Sequence, residues 1–344
     1  MSREKYGTLS PAERAFTGHE QAENIEMKLI YNKIFLEHDT GVHPENADRL
    51  RALGKLEETE IFSGEKYLSL VHTDEYVEKV KQACLSGQPM DPETITSTGS
   101  YQAAIHAVGA SVMASETNGF ALVRPPGHHA YPSRASGFCL FNNIAIAVQN
   151  LVNKNKRVLI LDFDGHLGDG TYHIFKESDQ VLFWSLHQFP AFPNLGNEND
   201  IGTGKGRGYS INVPLPPHSG DDIFQRAIEE FLPVAEQFAP DVVAVSAGFD
   251  AHYSDAMLDL RLSVHSYYYI GQLLRKKFAS VFAVLEGGYD LDYLPKCLYA
   301  FLDGFNGKKQ RYSEQHTDSD ILVFQEYELR AAFLEKNLAE FWTI

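Results

Sequence analysis

Acidic and imidazole side chains alternate along one short segment, Asp162-Phe-Asp164-Gly-His166. In an extended chain alternate side chains point to the same face, so these three would share a direction. Asp250 follows a separate apolar segment and adds another carboxylate. Two carboxylates and one imidazole can hold a tetrahedral Zn²⁺ and leave one position open, as in catalytic zinc sites. The sequence therefore indicates a zinc site of Asp164, His166 and Asp250, although such a short motif also arises by chance as a helix cap.

A binuclear manganese site is the alternative for this metal chemistry. The manganese ureohydrolases need further carboxylates to bridge two ions, four residues after Asp164 and two residues after Asp250. These positions hold Gly168 and His252. A second ion would lack its ligands, so we expect a site for one ion.

Two other segments end in groups suited to proton transfer and to stabilising an oxyanion. His128 and His129 end the segment Arg-Pro-Pro-Gly-His-His. An imidazole can take a proton from water if a carboxylate fixes its tautomer, and Asp162 and Asp169 are the candidate partners. Tyr289 follows two glycines, and its phenol could donate to a developing oxyanion. Taken alone, a pair of exposed loop histidines and a glycine turn are the ordinary alternatives.

Short apolar segments precede each of these groups. Segments that are apolar on both faces suit parallel strands buried between helices, and helical spacing lies between them. The pattern predicts an α/β fold, one domain with an open, mainly parallel sheet that has helices on both faces. Ligands bind at the carboxyl ends of strands in such sheets, so the polar groups should meet at one edge. We predict strands at Phe120–Val123, Val158–Leu161, Val181–Trp184, Val242–Val245 and Val281–Leu285, and helices at Ser100–Ser115, Asn142–Leu151, Asp222–Phe238 (with Pro233 as a kink or break), His265–Phe278 and Ile321–Phe341.

The composition of the 344-residue chain limits its class and its partners. The formal net charge is -16, and an acidic surface repels nucleic acid. The three cysteines are far apart and form no CxxC motif, which predicts reduced thiols. We expect an N-terminal extension at residues 1–26 and a catalytic domain at residues 27–344. No signal segment or apolar membrane span is evident, so a cytoplasmic protein is the expectation.

Seven ordered motifs resemble the histone deacetylase superfamily, which includes the acetylpolyamine amidohydrolases. The resemblance covers about residues 27–305 and implies an arginase/deacetylase-like fold. Phe249-Asp-Ala-His is similar to class II enzymes and to many bacterial and archaeal homologues. One departure is Leu167, where many relatives have a second histidine. The motifs are His43-Pro-Glu with Arg49-Leu, Arg124-Pro-Pro-Gly-His-His, Gly137-Phe-Cys, Asp162-Phe-Asp-Gly-His, Ser185-Leu-His, Ser246-Ala-Gly-Phe-Asp and Glu286-Gly-Gly-Tyr.

The resemblance also implies roles for individual residues. It assigns zinc to Asp164, His166 and Asp250, and proton transfer to His128 and His129, paired with Asp162 and Asp169. His129 resembles the main general base and acid, and Tyr289 the residue that stabilises the tetrahedral intermediate. The substrate-binding residues would be the walls Phe138 and Phe192, the Gly137 carbonyl and the rim residue Asp91.

A structural K⁺ is a second cofactor that the resemblance implies. Its site would use Asp162, Asp164, His166, Ser185 and Leu186, largely through backbone oxygens. A further monovalent cation site would involve Phe175, Ser178, Val181 and Tyr209.

Three functions follow from these motifs. The first is zinc-dependent hydrolysis of acetyl-lysine in a protein or peptide, in which His129 takes a proton from water while the metal and Tyr289 polarise the carbonyl. The second is deacetylation of an acetylpolyamine or another small N-acyl amine, which would need a carboxylate such as Glu93, Asp255 or Asp259 near the distal amine. The third is a non-catalytic protein that binds acyl amines on the same fold. The sequence leaves open whether the chain forms a homo-oligomer.

Overall fold

Seven parallel strands form one sheet in the computed structural model, which describes residues 26–344. Their order is β1-β2-β7-β6-β3-β4-β5, and every pairing among the described strands is parallel. The predicted α/β class is confirmed, and the sheet is parallel throughout rather than mainly so. The strands are β1 Leu29–Ile30, β2 Phe120–Ala121, β3 Val158–Asp162, β4 Val181–Gln188, β5 Ser210–Leu215, β6 Val242–Ala247 and β7 Val281–Leu285.

Helices connect the strands and cover the sheet. The central strands β3, β4, β6 and β7 are buried at every position, and most of their residues are apolar on both faces. Strand β5 was not predicted. The helices are α1 Asp48–Arg51, α2 Asp74–Ser86, α3 Ser100–Thr117, α4 Asn143–Val152, α5 Asp169–Phe175, α6 Asp221–Phe238, α7 Val264–Lys277, α8 Leu294–Phe305 and α9 Ile321–Leu338, and 3-10 turns lie at Lys33–Glu37, Glu65–Leu70 and Gly204–Gly206.

Helix α6 runs through Pro233 without a break, so the proline does not split the helix as one predicted alternative had it. Its buried apolar face packs into the main core on both sides of the proline. Packing of a long apolar stripe therefore outweighs the one hydrogen bond that proline cannot donate. Helix α9 ends at Leu338, three residues before the predicted end.

Strand register brings the carboxyl ends of β3 and β6 to nearly the same level. Asp162, the last residue of β3, pairs with Ser246 of β6 on one side and with Ser185 on the other, where β4 continues for three more residues to Gln188. The segments that follow β3 and β6 therefore start side by side at the same edge of the sheet. None of the helices in residues 26–344 is both long and apolar enough to cross a membrane. The predicted extension, residues 1–26, lies outside the described residues except for Glu26.

Candidate active site

The three predicted zinc ligands come together at this edge of the sheet. Asp164 and His166 follow β3, and Asp250 follows the neighbouring strand β6. One ligand atom from each lies within 4.8 Å of the others. The His166 Nδ1 atom is 2.9 Å from Asp250 Oδ2 and 3.3 Å from Asp164 Oδ1. Ligand atoms at about 2 Å from a tetrahedral ion lie roughly 3.3 Å apart, so the donor set and its spacing fit one Zn²⁺.

Two glycines leave the space that the carboxylates occupy. A Cβ atom at Gly248 would overlap Asp164 Oδ2, and one at Gly287 would lie 2.5 Å from Asp250 Oδ2. The Gly287 N–H donates to Asp164 Oδ2, and the Gly165 N–H donates to Asp250 Oδ1, both at 2.8 Å. Each carboxylate thus has one oxygen fixed by the backbone and turns the other toward His166.

The arrangement holds one group of ligands rather than two. Among residues 26–344, Asp164, His166 and Asp250 form the single cluster of this kind that could hold an ion. His252, at the position where a second ion would need a carboxylate, turns away to Ser254 Oγ at 2.8 Å and Glu314 Oε1 at 3.0 Å.

His129 lies beside this group and is held by Asp169. Its Nδ1 donates to Asp169 Oδ1 at 2.7 Å, which leaves the lone pair on Nε2. Burial lowers the pKa of His129 to about 4, and the neighbouring His128 adds to this effect although Asp169 opposes it. The imidazole is therefore neutral at neutral pH and able to accept a proton.

His128 lies behind His129, with the ring centroids 4.1 Å apart. Its Nδ1 donates to Asp162 Oδ2 at 3.1 Å, so both predicted His–Asp pairs are formed. Burial alone would lower the pKa of His128, but the negative charges of Asp164, Asp162 and Glu286 outweigh it and raise the pKa well above its usual value. The pKa values of the two imidazoles are therefore shifted in opposite directions, that of His128 upward and that of His129 downward.

Tyr289 belongs to the segment that follows strand β7 and lines the same cavity as His129 and His166. Its ring packs edge-on against Phe138 with centroids 5.8 Å apart, and the Arg49 guanidinium lies 4.9 Å from its centre. Burial raises the pKa of the phenol well above its usual value, although Arg49 opposes this. Tyr289 therefore keeps its proton and can act as a hydrogen-bond donor.

One cavity of about 330 Å³ joins these groups, and His129, His166 and Tyr289 all line it. Its walls include Phe138 and Phe192, and the Phe192 ring is 5.1 Å from that of His129. Phe138 follows Gly137 in a tight turn with φ values of +69° and +51°. Two consecutive positive φ values are typical of a type I′ turn. This turn carries Phe138 at its tip, where the ring reaches the cavity and contacts His43.

The family model for the histone deacetylase domain matches residues 43–305. This chain belongs to the histone deacetylase family. It is 35% identical over 323 residues to a probable deacetylase of Archaeoglobus fulgidus, covering 84% of this chain and 89% of the relative. It is 35% identical over 254 residues to a histone deacetylase-like amidohydrolase of Pseudomonas aeruginosa, covering 69% and 67%.

A solved structure of the family has the same fold. The HD domain of HDA15 superposes with a TM-score of 0.83 and 29% sequence identity, covering 92% of this chain and 95% of that one. Membership of the family supports a hydrolase that acts on acetylated substrates.

At the rim of this deacetylase-family cavity, Asp91 is hydrogen-bonded within its own loop. The Asp91 carboxylate accepts hydrogen bonds from the Glu93 and Thr94 N–H groups, at 2.9 and 2.7 Å, and from the Thr94 hydroxyl at 3.0 Å. It is absent from the residues that line the cavity, whereas Glu93 is among them. Asp91 therefore holds the turn of its own loop, Glu93 is the acidic residue of this loop that lines the cavity, and a role for Asp91 in substrate binding stays a prediction.

The predicted cation sites are partly assembled by strand pairing. Ser185 lies beside Asp162 in the sheet, and Leu186 follows it in β4, so these residues of the predicted K⁺ site are neighbours. At the second site, the Tyr209 carbonyl accepts the Phe183 N–H and the Phe175 carbonyl accepts the Ser178 N–H. Val181 begins β4, two residues before Phe183. Potassium at either site stays a prediction.

Sequence reasoning gave no role to Arg49 and Glu286, although both occur in the family's motifs. Arg49 is fully buried and donates to the carbonyls of Gly288 and Glu286 at 2.7 and 2.6 Å. The Glu286 carboxylate accepts the N–H groups of Gly127 and His128 at 2.7 and 3.1 Å. Burial raises the pKa of Glu286 to about 7, and these bonds oppose the shift. Glu286 directly follows strand β7, as the other polar groups of the site follow their strands, and this position could have indicated its role from the sequence.

Proposed function

We propose that this chain is a zinc-dependent deacetylase that hydrolyses acetyl-lysine in a protein or peptide to give acetate and a free amine. One observation carries the proposal. The metal ligand His166, the neutral imidazole of His129 and the phenol of Tyr289 all line one cavity. An acyl carbonyl at its end would meet a proton acceptor and an oxyanion donor together.

His129 supplies the proton transfer in this mechanism. A bound zinc ion would polarise the acyl carbonyl and lower the pKa of water beside it. The Nε2 atom of His129 carries the lone pair, because Nδ1 donates to Asp169. It can accept the proton of the attacking water, and the Asp169 carboxylate stabilises the imidazolium that forms. The same proton can then pass to the leaving amine, whose release requires protonation.

Tyr289 stabilises the charge that develops on the acyl oxygen. Its phenol stays protonated because burial holds its pKa far above neutral pH. A hydrogen bond to an oxyanion is stronger than one to a neutral carbonyl, so the phenol favours the transition state over the bound substrate. The Tyr289 hydroxyl therefore contributes mainly to kcat.

The walls of the cavity favour an acyl amine on a flexible apolar chain. Phe138 and Phe192 present ring faces and edges suited to packing against methylene groups. Glu93 adds a carboxylate to the lining, which favours a substrate with positive charge outside the acyl group. Because a polyamine carries positive charge beyond its acyl group, Glu93 also favours an acetylpolyamine as a second candidate substrate.

A panel of acyl substrates tests the proposal. Zinc-loaded protein should release acetate from acetyl-lysine peptides, whereas metal-free protein and Asp250→Ala should not. Acetylputrescine and acetylspermidine in the same panel separate the two substrate classes by kcat/KM. Binding of acetyl-lysine without turnover by fully zinc-loaded protein would favour the non-catalytic alternative and contradict the proposal.

A further inference from the structure

The loop of residues 250–258 connects three parts of the site. It begins at the metal ligand Asp250, and its last residues, Met257 and Leu258, line the cavity. Asp255 lies between them and is 5% exposed. A buried carboxylate is costly unless it is paired, so its hydrogen-bond partners indicate what it is there to hold.

The partners of Asp255 are backbone groups of the segment that carries Tyr289. Its Oδ2 atom accepts the N–H of Tyr289 at 2.6 Å and the N–H of Asp290 at 3.0 Å. Its Oδ1 atom accepts the Met257 N–H at 3.1 Å, within its own loop. Hydrogen bonds to a carboxylate are stronger than those between neutral groups. The side chain therefore fastens the Tyr289 backbone to the loop that supplies Asp250.

A second charged group holds the other end of the same peptide unit. The Gly288 carbonyl and the Tyr289 N–H belong to one planar peptide, whose C=O accepts from Arg49 Nε at 2.7 Å. A cation at its oxygen and an anion at its N–H thus fix this plane from both ends. The clamp matters because Gly287 and Gly288 precede it, and Gly288 has φ = +110°, so the glycines restrict the backbone little.

We propose that Asp255 is a positioning residue for Tyr289, which keeps the phenol aimed at the acyl oxygen by clamping the Gly288–Tyr289 peptide. This inference rests on the proposed function, because it presumes that Tyr289 stabilises an oxyanion. Asp255 lines no part of the cavity itself, so it acts through Tyr289. Misplacement of a catalytic group by about 1 Å can cost roughly 100-fold in rate, which sets the scale of the effect.

A double-mutant cycle on the zinc-loaded protein tests the inference. Tyr289→Phe should lower kcat by about 100-fold or more with little change in KM. Asp255→Ala should lower kcat by roughly 10- to 100-fold, again with little change in KM. Because both variants remove the same contribution, the double variant should be no slower than Tyr289→Phe alone. If Asp255→Ala weakened the fold in general, it would instead lower kcat by the same factor in the wild type and in Tyr289→Phe.

Two further variants keep the result decisive. Asp292→Ala removes an exposed carboxylate three residues after Tyr289, outside the cavity lining, and should leave kcat unchanged. Asp255→Asn preserves the volume of the side chain and keeps one oxygen for the backbone donors, so this variant should fold. It should lower kcat in part when Tyr289 is present and should have no further effect in Tyr289→Phe. Zinc content, measured for every variant, separates an effect on Tyr289 from one on Asp250.

The outcomes distinguish this inference from the proposed function. A native rate for Tyr289→Phe would overturn the assumed role of Tyr289 and with it the proposed mechanism. Loss of rate in Tyr289→Phe but native kcat in folded Asp255→Ala or Asp255→Asn would overturn the inference alone. Multiplying effects in the double variant would also overturn it, because Asp255 would then act by a separate route.

Discussion

The Tyr131 hydroxyl donates a 2.8 Å hydrogen bond to Asp169 Oδ2. The other oxygen of this carboxylate accepts from His129 at 2.7 Å, so each Asp169 oxygen has its own donor. Tyr131 is 9% exposed, and the Arg134 guanidinium lies 3.9 Å from the centre of its ring. The carboxylate that orients His129 is therefore itself held from its far side.

Tyr131→Phe should lower kcat roughly tenfold, because a hydrogen bond to a charged group contributes about 1.5 kcal/mol. Without the hydroxyl, Asp169 can rotate, and His129 loses its fixed orientation. KM should change little, since Tyr131 does not line the cavity. Steady-state kinetics on an acetyl-lysine peptide measure both constants. Tyr299→Phe, outside the cavity on α8, controls for loss of a tyrosine hydroxyl. Unchanged kcat in Tyr131→Phe would mean that His129 alone fixes Asp169.

The convergence of the metal ligands could be predicted because it depends on two local patterns. Alternation places Asp164 and His166 near each other, and parallel strands end at one edge of the sheet. Neither pattern requires the path of a loop to be known. The observed register of Asp162 beside Ser246 brings the segment that carries Asp250 to the same place.

The support for Tyr289 could not be predicted, because it depends on loop paths across the whole chain. Arg49 and Gly288 are 239 residues apart, and no local pattern relates them. Asp255 was an open candidate for contact with a substrate amine, yet it is buried on backbone N–H groups. Asp91 and Glu93 are two residues apart on one loop, and only the turn of that loop decides which of the two residues lines the cavity.

Gly248→Ala should abolish zinc binding and activity with little unfolding. The new Cβ would overlap Asp164 Oδ2, so the carboxylate must leave the position that faces His166. Overpacking costs about 1–3 kcal/mol in stability, which a domain of this size tolerates. Zinc per chain, acetate release and the midpoint of thermal unfolding measure the three effects. Gly54→Ala is the control, since its Cβ would contact nothing although φ is +77°. One bound zinc and native turnover in Gly248→Ala would contradict the expectation.

Glu93→Gln should raise KM for cationic acyl substrates several-fold with little change in kcat. Glu93 lines the cavity but is not among the groups assigned to the reaction, so we expect its charge to act on substrate binding. The rise in KM should shrink at high salt, because exposed charges are screened. Asp91→Asn tests the prediction that Asp91 binds the substrate at the rim. Because the Asp91 carboxylate is hydrogen-bonded within its loop, this variant should change KM through the shape of the loop and with little dependence on salt. The prediction fails if KM for a cationic and a neutral acyl peptide rises equally in Glu93→Gln.

His72 should make the fold sensitive to mild acid. Its Nδ1 donates to the Tyr131 carbonyl at 3.1 Å, and its Nε2 accepts the Asn142 N–H at 2.9 Å. A second proton would have to displace the Asn142 bond. Burial lowers the pKa of His72 to about 4, although backbone hydrogen bonds oppose the shift. In the unfolded chain the pKa of His72 is near 6.5, so between pH 6.5 and pH 4 the unfolded chain binds a proton on His72 and the folded protein does not.

The sign of the effect follows from this difference. The unfolded state binds more protons between pH 6.5 and 4, so stability is complete above pH 6.5 and falls as the pH is lowered toward 4. One group contributes at most about 3 kcal/mol over this range. His72→Gln removes the titration, so wild type should be more stable at pH 7 and the gap should narrow toward pH 4. Urea unfolding of both proteins across the range measures the gap, and a constant difference would mean that His72 takes up its proton equally in both states.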